Sequence, residues 1–225
     1  MCGRFALYAD YAALLERFNI EEAALEQGLY EKNYNVAPSQ QIAAVINDGK
    51  QNRLGTFRWG LIPSWAKDHK IGYKMINARG ETAAEKPSFR TAFRKRRCLI
   101  PASAFYEWKK GEGSKTPMLI HLEDDELFAF AGLWESWKAQ DGQMVHSCTI
   151  LTTEPNALMA EIHDRMPVIL SKSDEQVWLD PNVQDPELLQ ELIKPYQRSG
   201  LEAYEVSGAV NSPKNNGQEL IQKIG

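Results

Sequence analysis

Short runs of β-branched and aromatic residues dominate this sequence, and Gly, Asp, Asn and Lys residues separate them. Runs of this kind predict strands, here over residues 4–8, 41–47, 54–60, 98–108, 118–122, 127–134, 146–153 and 202–206. Helical periodicity predicts helices over residues 11–18, 88–95, 155–162, 173–178 and 186–194. Because strands and helices do not alternate as in parallel βαβ units, we expect an α+β fold. Its curled, mostly antiparallel sheet would form a barrel-like core with peripheral helices.

The size and charge of the chain limit its organisation and its partners. With 225 residues, of which 43% are hydrophobic, the chain can bury one core, and we expect a single domain over residues 1–225. The net charge of -4 argues mildly against a nucleic-acid binder, so any DNA partner would need a local basic surface. No apolar segment resembles a signal peptide or a membrane span, which favours a cytoplasmic protein that does not associate with membranes.

Three cysteines, an odd number without paired spacing, predict neither a disulfide framework nor a zinc site. Cys98 and Cys148 lie in apolar runs, where a cysteine usually belongs to the core. Cys2 is different, because the residues beside it in sequence are not apolar.

The start Met1-Cys2-Gly3 is typical of a chain from which the initiator methionine is removed, leaving Cys2 with a free α-amine beside its thiol. An α-amine with a pKa of about 7.7 to 8.0 is partly neutral at cellular pH and can condense with an aldehyde. The thiol can then add to the imine and close a five-membered thiazolidine ring, which proximity accelerates. The alternative is that the chain begins Met-Cys by chance.

Several polar residues lie in apolar, turn-bounded contexts: Asn77, Arg79, Glu107, His163 and Arg165. Glu107 follows Tyr106 in a predicted strand, so it faces either the interior, where its pKa would rise, or water, where it would be an ordinary surface carboxylate. His163 precedes Asp164, which could orient its ring for proton transfer, or the two could make a structural contact only.

A basic run and two tryptophans are compatible with DNA binding. The basic residues are Arg90, Arg94, Lys95, Arg96 and Arg97. Arginines can neutralise phosphates, and the loop tryptophans Trp59 and Trp65 can stack on unpaired bases. A solvated helix face for the basic run and core packing for the tryptophans are the alternatives.

Together these features resemble the SRAP family (SOS response-associated peptidase), the abasic-site processing proteins. The matching segments are MCGRF, YNVAPSQ, RWGLIPSWAK, INARGET, CLIPASAFYEWKK, IHDRMPVIL and VNSPKNNG, which occur in order along nearly the whole chain. One departure is Gly80 in INARGET, where many relatives carry a bulkier residue.

The resemblance implies that the protein binds single-stranded DNA, or its junction with duplex, and shields an abasic site through a thiazolidine formed by Cys2. It also implies that Asn77 holds the opened sugar, Glu107 is the acid/base and His163 promotes ring opening. Arg79 and Arg165 would clamp phosphates, with Arg4 a weaker candidate, and Trp65 would act as a wedge against bases. It implies no metal and no cofactor, and we expect a monomer that joins the nucleoid during DNA damage.

Other functions remain open at the level of sequence. An N-terminal-nucleophile amidohydrolase also begins Met-Cys-Gly, but this chain lacks the His-Arg-Gly segment of those domains. A thiol peptidase, in its minimal form one that removes its own Met1, could use Cys2, His163 and Glu107. A non-enzymatic reader of modified DNA is the third alternative.

Overall fold

The computed structural model describes residues 2–111, 113–123, 126–197 and 200–224. Its strands are β1 (Phe5–Leu7), β2 (Ile20–Ala23), β3 (Asn33–Val36), β4 (Gln41–Asn47), β5 (Asn52–Trp59), β6 (Asn77–Arg79), β7 (Arg97–Ala102), β8 (Ala104–Lys110), β9 (Lys115–Leu122), β10 (Phe128–Lys138), β11 (Met144–Thr153), β12 (Met166–Pro167) and β13 (Leu201–Glu205). Its α-helices are α1 (Tyr11–Arg17), α2 (Gly80–Ala83), α3 (Arg90–Lys95), α4 (Ala157–Ala160), α5 (Lys172–Leu179) and α6 (Pro186–Glu191). No helix among these residues is long and apolar enough to cross a membrane.

The strands form two sheets, and one of them closes on itself. The larger sheet follows the order β12-β11-β10-β7-β4-β5-β2, and β6 pairs with β11. A further pairing of β11 with β5 closes a ring of five strands, β5-β4-β7-β10-β11. The second sheet has the order β13-β9-β8-β1-β3. The predicted α+β class with a mostly antiparallel, barrel-like core is confirmed, although the strands divide between two sheets, and the single domain over residues 1–225 stays a prediction.

The segment predicted as one strand over residues 98–108 is two strands, β7 and β8. They separate at Ser103, whose backbone N–H donates to the carbonyl of Ala6 at 2.8 Å. β7 pairs with β10 in the larger sheet, whereas β8 pairs with β1 and β9 in the second sheet. The prediction was wrong at this point because the change of sheet is a tertiary event that the apolar run itself does not mark.

The second sheet is covered on both faces. The main core includes Phe5, whose ring lies 5.3 Å from that of Trp59 and 5.8 Å from that of Phe130. On the other face a smaller cluster contains Ala6, Ala104, Tyr106, Leu119, Val206, Val210 and Leu220. Successive residues of β8 point to opposite faces of the sheet, and both faces are buried.

The core contains all three cysteines and one of the two tryptophans proposed to stack on DNA. Cys98 and Cys148 are fully buried, as predicted. Trp59 is also fully buried at the end of β5, and its indole N–H donates to the Ile76 carbonyl at 2.9 Å. Stacking on DNA by Trp59 was thus a wrong interpretation, and its alternative, core packing, is correct.

Candidate functional site

The structure brings four of the predicted site residues together, and we call Cys2, Asn77, Glu107 and His163 the Cys2 cluster. Cys2 is fully buried just before β1, and its thiol lies 3.9 Å from the carbonyl of Arg4. Asn77, the first residue of β6, donates from its side-chain amide to the Cys2 carbonyl at 2.8 Å. The Asn77 Oδ1 is buried and accepts no hydrogen bond from the described residues. This oxygen is available to accept a hydrogen bond from a ligand.

Glu107 is buried, with 3% of its surface exposed, rather than solvated. Alternation along β8 puts it on the same face as Phe105, towards the main core, and opposite to Tyr106. Burial raises the pKa of the Glu107 carboxyl, and the charge of nearby His163 partly opposes that rise. Burial and then the charge of Glu107 raise the pKa of the Cys2 thiol far above its ordinary value. The site therefore favours a protonated thiol beside a carboxyl group that can carry a proton.

His163 follows α4 and is fixed by short-range contacts. Its backbone N–H donates to the Met159 carbonyl at 2.7 Å, and its ring is 25% exposed. The ring Nδ1 lies 2.8 Å from Asp164 Oδ1 and 3.1 Å from the backbone N–H of Arg165. Protonated Nδ1 can donate to Asp164, whereas unprotonated Nδ1 can accept from Arg165. Asp164 can therefore orient the ring, which keeps both alternatives, proton transfer and a structural contact only, compatible with the geometry.

The Arg165 guanidinium forms a two-bond pair with Glu81, a residue that the sequence did not single out. Its Nη1 and Nη2 lie 2.5 and 2.8 Å from the two Glu81 oxygens, and Nη2 also donates to the Thr152 carbonyl at 2.7 Å. These bonds hold the pKa of the Glu81 carboxyl below its usual range. To bind a phosphate, the Arg165 guanidinium must either leave Glu81 or divide its N–H donors between Glu81 and the phosphate. Glu81 lies within INARGET, so its position in that motif was the available indication.

Arg79 and Arg4 differ in how far the protein restrains them. Arg79 ends β6 and is exposed, which leaves its guanidinium accessible to a phosphate. Arg4 is partly buried, which lowers its pKa, and its Nη1 donates to Asn35 Oδ1 at 2.7 Å and to the Val210 carbonyl at 2.6 Å.

Trp65 lies at the surface of a loop that is closed at its base. Its side chain is 59% exposed, and the neighbouring Ala66 carbonyl accepts a hydrogen bond from Trp137 Nε1 at 2.7 Å. Gly60 and Gly72 meet so closely at the base that a Cβ on Gly72 would lie 2.6 Å from the Gly60 carbonyl oxygen. The hydrogen bonds and ring contacts of the described residues do not join Trp65 to the Cys2 cluster.

The basic run divides into accessible and structural residues. Arg90, Arg94 and Lys95 of α3 are exposed. Arg96 forms an ion pair with Glu135, and Arg97 is buried, with 5% exposed. Phosphate binding therefore remains a prediction for the three exposed residues only.

A family model described as "SOS response associated peptidase (SRAP)" matches residues 1–213 of the chain. The chain belongs to the SRAP family. It is 56% identical to the abasic site processing protein YoqW of Bacillus subtilis over 223 residues, which cover 99% of both chains. It is 31% identical to the abasic site processing protein HMCES of Xenopus tropicalis over 87% of this chain and 67% of that protein.

Among solved structures, this SRAP fold is similar to a protein from Bacteroides thetaiotaomicron, with a TM-score of 0.90 and 27% identity. That match covers 99% of this chain and 100% of the other. A protein from Bordetella bronchiseptica matches with a TM-score of 0.76 and 26% identity over 92% of this chain and 100% of the other.

The departure at Gly80 has a steric explanation in this SRAP chain. A Cβ on Gly80 would lie 2.3 Å from Ile193 Cγ2 and 3.2 Å from the Thr152 carbonyl oxygen. Ile193 thus occupies the space that a larger residue would need.

Two further observations concern possible ligand sites elsewhere. Among the described residues no group of three or more His, Cys, Asp and Glu side chains could hold a metal ion. A cleft of about 510 Å³ lies beside the ion pair of Arg17 and Glu175, and none of the Cys2 cluster lines it. The Arg17 guanidinium and the Glu175 carboxylate are joined there by two hydrogen bonds.

Proposed function

We propose that this SRAP protein processes abasic sites in single-stranded DNA, including junctions with duplex, by forming a covalent thiazolidine cross-link through Cys2. The relatives named abasic site processing proteins support the substrate class. The observation that carries the proposal is the burial of Cys2 beside Glu107, with its carbonyl held by Asn77. Loss of Met1, which lies outside the described residues, is part of the proposal because it creates the α-amine.

The first step joins the amine to the sugar. The ring-opened abasic sugar carries an aldehyde, which the neutral Cys2 amine attacks to form a carbinolamine. The carbinolamine loses water when its hydroxyl group is protonated, and an iminium ion remains. Glu107, with a pKa raised by burial, is suited to supply that proton. His163 is suited to move a proton during opening of the sugar ring, because Asp164, 2.8 Å from its Nδ1, can orient the ring.

The second step closes the five-membered ring. The Cys2 sulfur attacks the iminium carbon, a C–S bond forms, and the electron pair of the C=N bond returns to nitrogen. The thiol proton passes to the Glu107 carboxylate, which restores the acid used in the first step. Attack within one residue needs no thiolate in advance, because the two groups are held together.

The protonation of Cys2 favours this reaction over thiol proteolysis. A peptidase or amidohydrolase needs a thiolate nucleophile, which a nearby cation or helix N-terminus usually stabilises. In this site burial and the charge of Glu107 raise the pKa of the thiol instead. We keep removal of the protein's own Met1 as the one peptidase reaction that the proposal accommodates.

We assign the DNA contacts to four residues outside the Cys2 cluster. Exposed Arg79 would bind a phosphate directly, Arg165 would bind one by sharing or leaving Glu81, and Arg4 would add a third contact. Trp65 would stack against bases beside the lesion, with its loop restrained through Trp137.

The test is the intact mass of the protein after incubation with an abasic single-stranded oligonucleotide. Wild-type protein should lose Met1 and gain the mass of the oligonucleotide minus one water, in an adduct that survives denaturant. Cys2→Ala should form no durable adduct. Cys2→Ser should form an imine that survives only after borohydride reduction, because a hydroxyl closes the ring poorly. An equally durable Cys2→Ser adduct would exclude the thiazolidine.

Parallel incubations separate the alternatives. Turnover of glutamine would indicate an amidohydrolase, and cleavage of a peptide panel would indicate a peptidase. Binding of DNA without any covalent product would indicate a reader. An added residue before Cys2 should abolish the adduct as fully as Cys2→Ala does, since it removes the free amine.

A further inference from the structure

The arginines of this protein differ in whether their charge is used inside the molecule. Most of them bond to carboxylate or carbonyl oxygens of the protein: Arg4, Arg17, Arg53, Arg58, Arg96, Arg97 and Arg165. In contrast, Arg79, Arg90 and Arg94 form no ion pair and no side-chain hydrogen bond with any residue that the structure describes. The arginines that keep all their donors therefore lie together in one segment, residues 79–94, which begins at the end of β6.

The helix α3 presents two of these arginines on its exposed face. Its opposite face is anchored by Phe93, which is fully buried and whose ring lies 5.8 Å from that of Trp178. Arg90 and Arg94 are one helical turn apart, and like charges at this spacing destabilise a helix. Residues 86–97 contain six cations and no acidic residue, so the segment itself offers no compensating charge. A bound anion would remove this repulsion.

A surface concavity of about 390 Å³ lies beside these cations. It is lined by Ala84, Arg90, Thr91, Arg94 and Lys95. The two guanidinium groups, the ammonium group and the hydroxyl group are all hydrogen-bond donors. Phosphate oxygens are acceptors that such cations bind strongly. The lining therefore fits a phosphate group and includes no carboxylate that would compete with it.

The concavity is also close to the DNA contact proposed for Arg79. Ala84 lies five residues after Arg79, and five residues of fully extended backbone span at most about 18 Å. The helix α2 occupies four of these residues and shortens that path. Phosphates of one strand follow each other at about 3.4 Å along a duplex axis, so about five nucleotides cover the distance.

We infer that Arg90, Arg94 and Lys95 of α3 form a second phosphate-binding surface, which holds the DNA strand where it continues beyond Arg79. The surface lengthens the DNA-binding site without taking part in the chemistry at Cys2. The inference rests on the proposed function for its ligand, but it concerns non-covalent binding and not the cross-link.

The experiment compares two lengths of single strand, each carrying a central tetrahydrofuran abasic analogue that cannot cross-link. One has flanks of about two nucleotides, too short to reach α3, and the other has flanks of about ten. On the long strand, the double variant Arg90→Gln/Arg94→Gln should lower the slope of log affinity against log salt by about 1.4, the value for two phosphate contacts. Its affinity should fall about fourteenfold at about 0.15 M salt. On the short strand it should bind like wild type.

The double variant Lys50→Gln/Lys172→Gln is the matched control. It changes the net charge by the same amount, and both lysines line the separate cleft beside Arg17 and Glu175. We expect the control to keep the wild-type slope on both strands. Thermal melting verifies that the two double variants fold, since both change exposed side chains only.

Three results would overturn the inference: an unchanged slope for the α3 variant on the long strand, an equal loss on the short strand, or an equal loss in the control. An unchanged slope would assign the α3 surface to a partner other than DNA. Failure of the proposed function is distinguishable, because it appears as absence of a wild-type adduct on a true abasic strand. The comparison on the inert analogue does not depend on that adduct.

Discussion

Glu107 is subject to two opposing requirements. The proposed chemistry needs a carboxyl group that can hold and release a proton, and burial in β8 favours the protonated form by raising its pKa. The same burial makes the ionised form costly in the folded protein. A residue that serves catalysis in this way should therefore lower stability at higher pH.

We predict that Glu107→Gln stabilises the protein at pH 8 and leaves stability nearly unchanged at pH 4. The folded-state pKa is raised, so the contribution of Glu107 is fully present below its ordinary pKa of 4.5 and is lost as pH rises through the folded value. Glutamine mimics the protonated acid and avoids that loss, by about 1.4 kcal/mol for each pH unit between the two pKa values. Urea unfolding at a series of pH values measures the difference.

Glu205→Gln on β13 is the control, because Glu205 is exposed. Its stability difference from wild type should stay within about 0.5 kcal/mol at each pH. A Glu107→Gln variant that is less stable than wild type at pH 8 would contradict the assignment. The same variant should also form the cross-link more slowly, because glutamine cannot transfer the proton.

The chemical types in the site could be predicted from the sequence, but the environment of each side chain could not. The Met-Cys-Gly start predicted Cys2 as the nucleophile without any structure. For Glu107, alternation predicted a face opposite to Tyr106 but could not say that both faces of β8 are covered. Its burial depends on the main core, to which residues distant in sequence, such as Phe5 and Phe130, contribute.

At the level of secondary-structure elements, Arg97 links the ends of two helices. Its guanidinium donates to the carbonyls of Phe93 and Arg94 at the end of α3, at 3.2 and 2.5 Å. It also donates to Trp178, Asp180 and Val183 at and beyond the end of α5, at 2.5, 2.6 and 2.8 Å. Burial lowers its pKa to about 10, so it remains a cation at neutral pH. A cation suits these positions, since the last carbonyls of a helix have no partner within the helix.

We predict that Arg97→Met lowers the free energy of unfolding by about 3 to 5 kcal/mol, because it leaves several buried carbonyls without donors. Arg97→Lys should recover only part of this loss, since an ammonium has fewer donors. Denaturant unfolding of both variants checks the order. Arg94→Gln, a change on the exposed face of α3, is the control and should cost less than about 0.5 kcal/mol. Equal stabilities for Arg97→Met and Arg94→Gln would contradict this role.

The sequence predicts well those elements in which apolar residues recur at a regular spacing. β4 matches its predicted residues 41–47, and its buried positions include Ile42, Ala44 and Val45. The short strands β3, β6 and β12 were missed because two to four residues carry no period. β6 exists through parallel pairing with β11, at Asn77 with Ile150, so the strand that presents Asn77 is defined by a tertiary contact.

For the whole molecule, the net charge of -4 and the proposed DNA ligand are compatible only if the relevant cations are local. The length of β5, one strand of the closed ring, gives a measure of distance from the Cys2 cluster. β5 runs from Asn52 to Trp59, about 23 Å at the rise of a strand, and Trp59 bonds to Ile76 next to the Cys2 cluster. Lys50, in the turn before β5, is therefore a cation remote from the proposed site.

We predict that Arg79→Gln and Lys50→Gln, which change the net charge equally, affect DNA binding differently. Arg79→Gln should lower the slope of log affinity against log salt by about 0.7, because one phosphate contact to a single strand is lost. Lys50→Gln should leave that slope unchanged. The ligand is a single strand that carries a tetrahydrofuran abasic analogue, which has no aldehyde and cannot cross-link. Titrations at about 50 to 200 mM salt measure both slopes. Equal slopes for the two variants would mean that the whole-molecule field, and not a local phosphate contact, governs binding. Since that field is repulsive at a net charge of -4, equal slopes would also remove the basis for assigning phosphate contacts around Cys2.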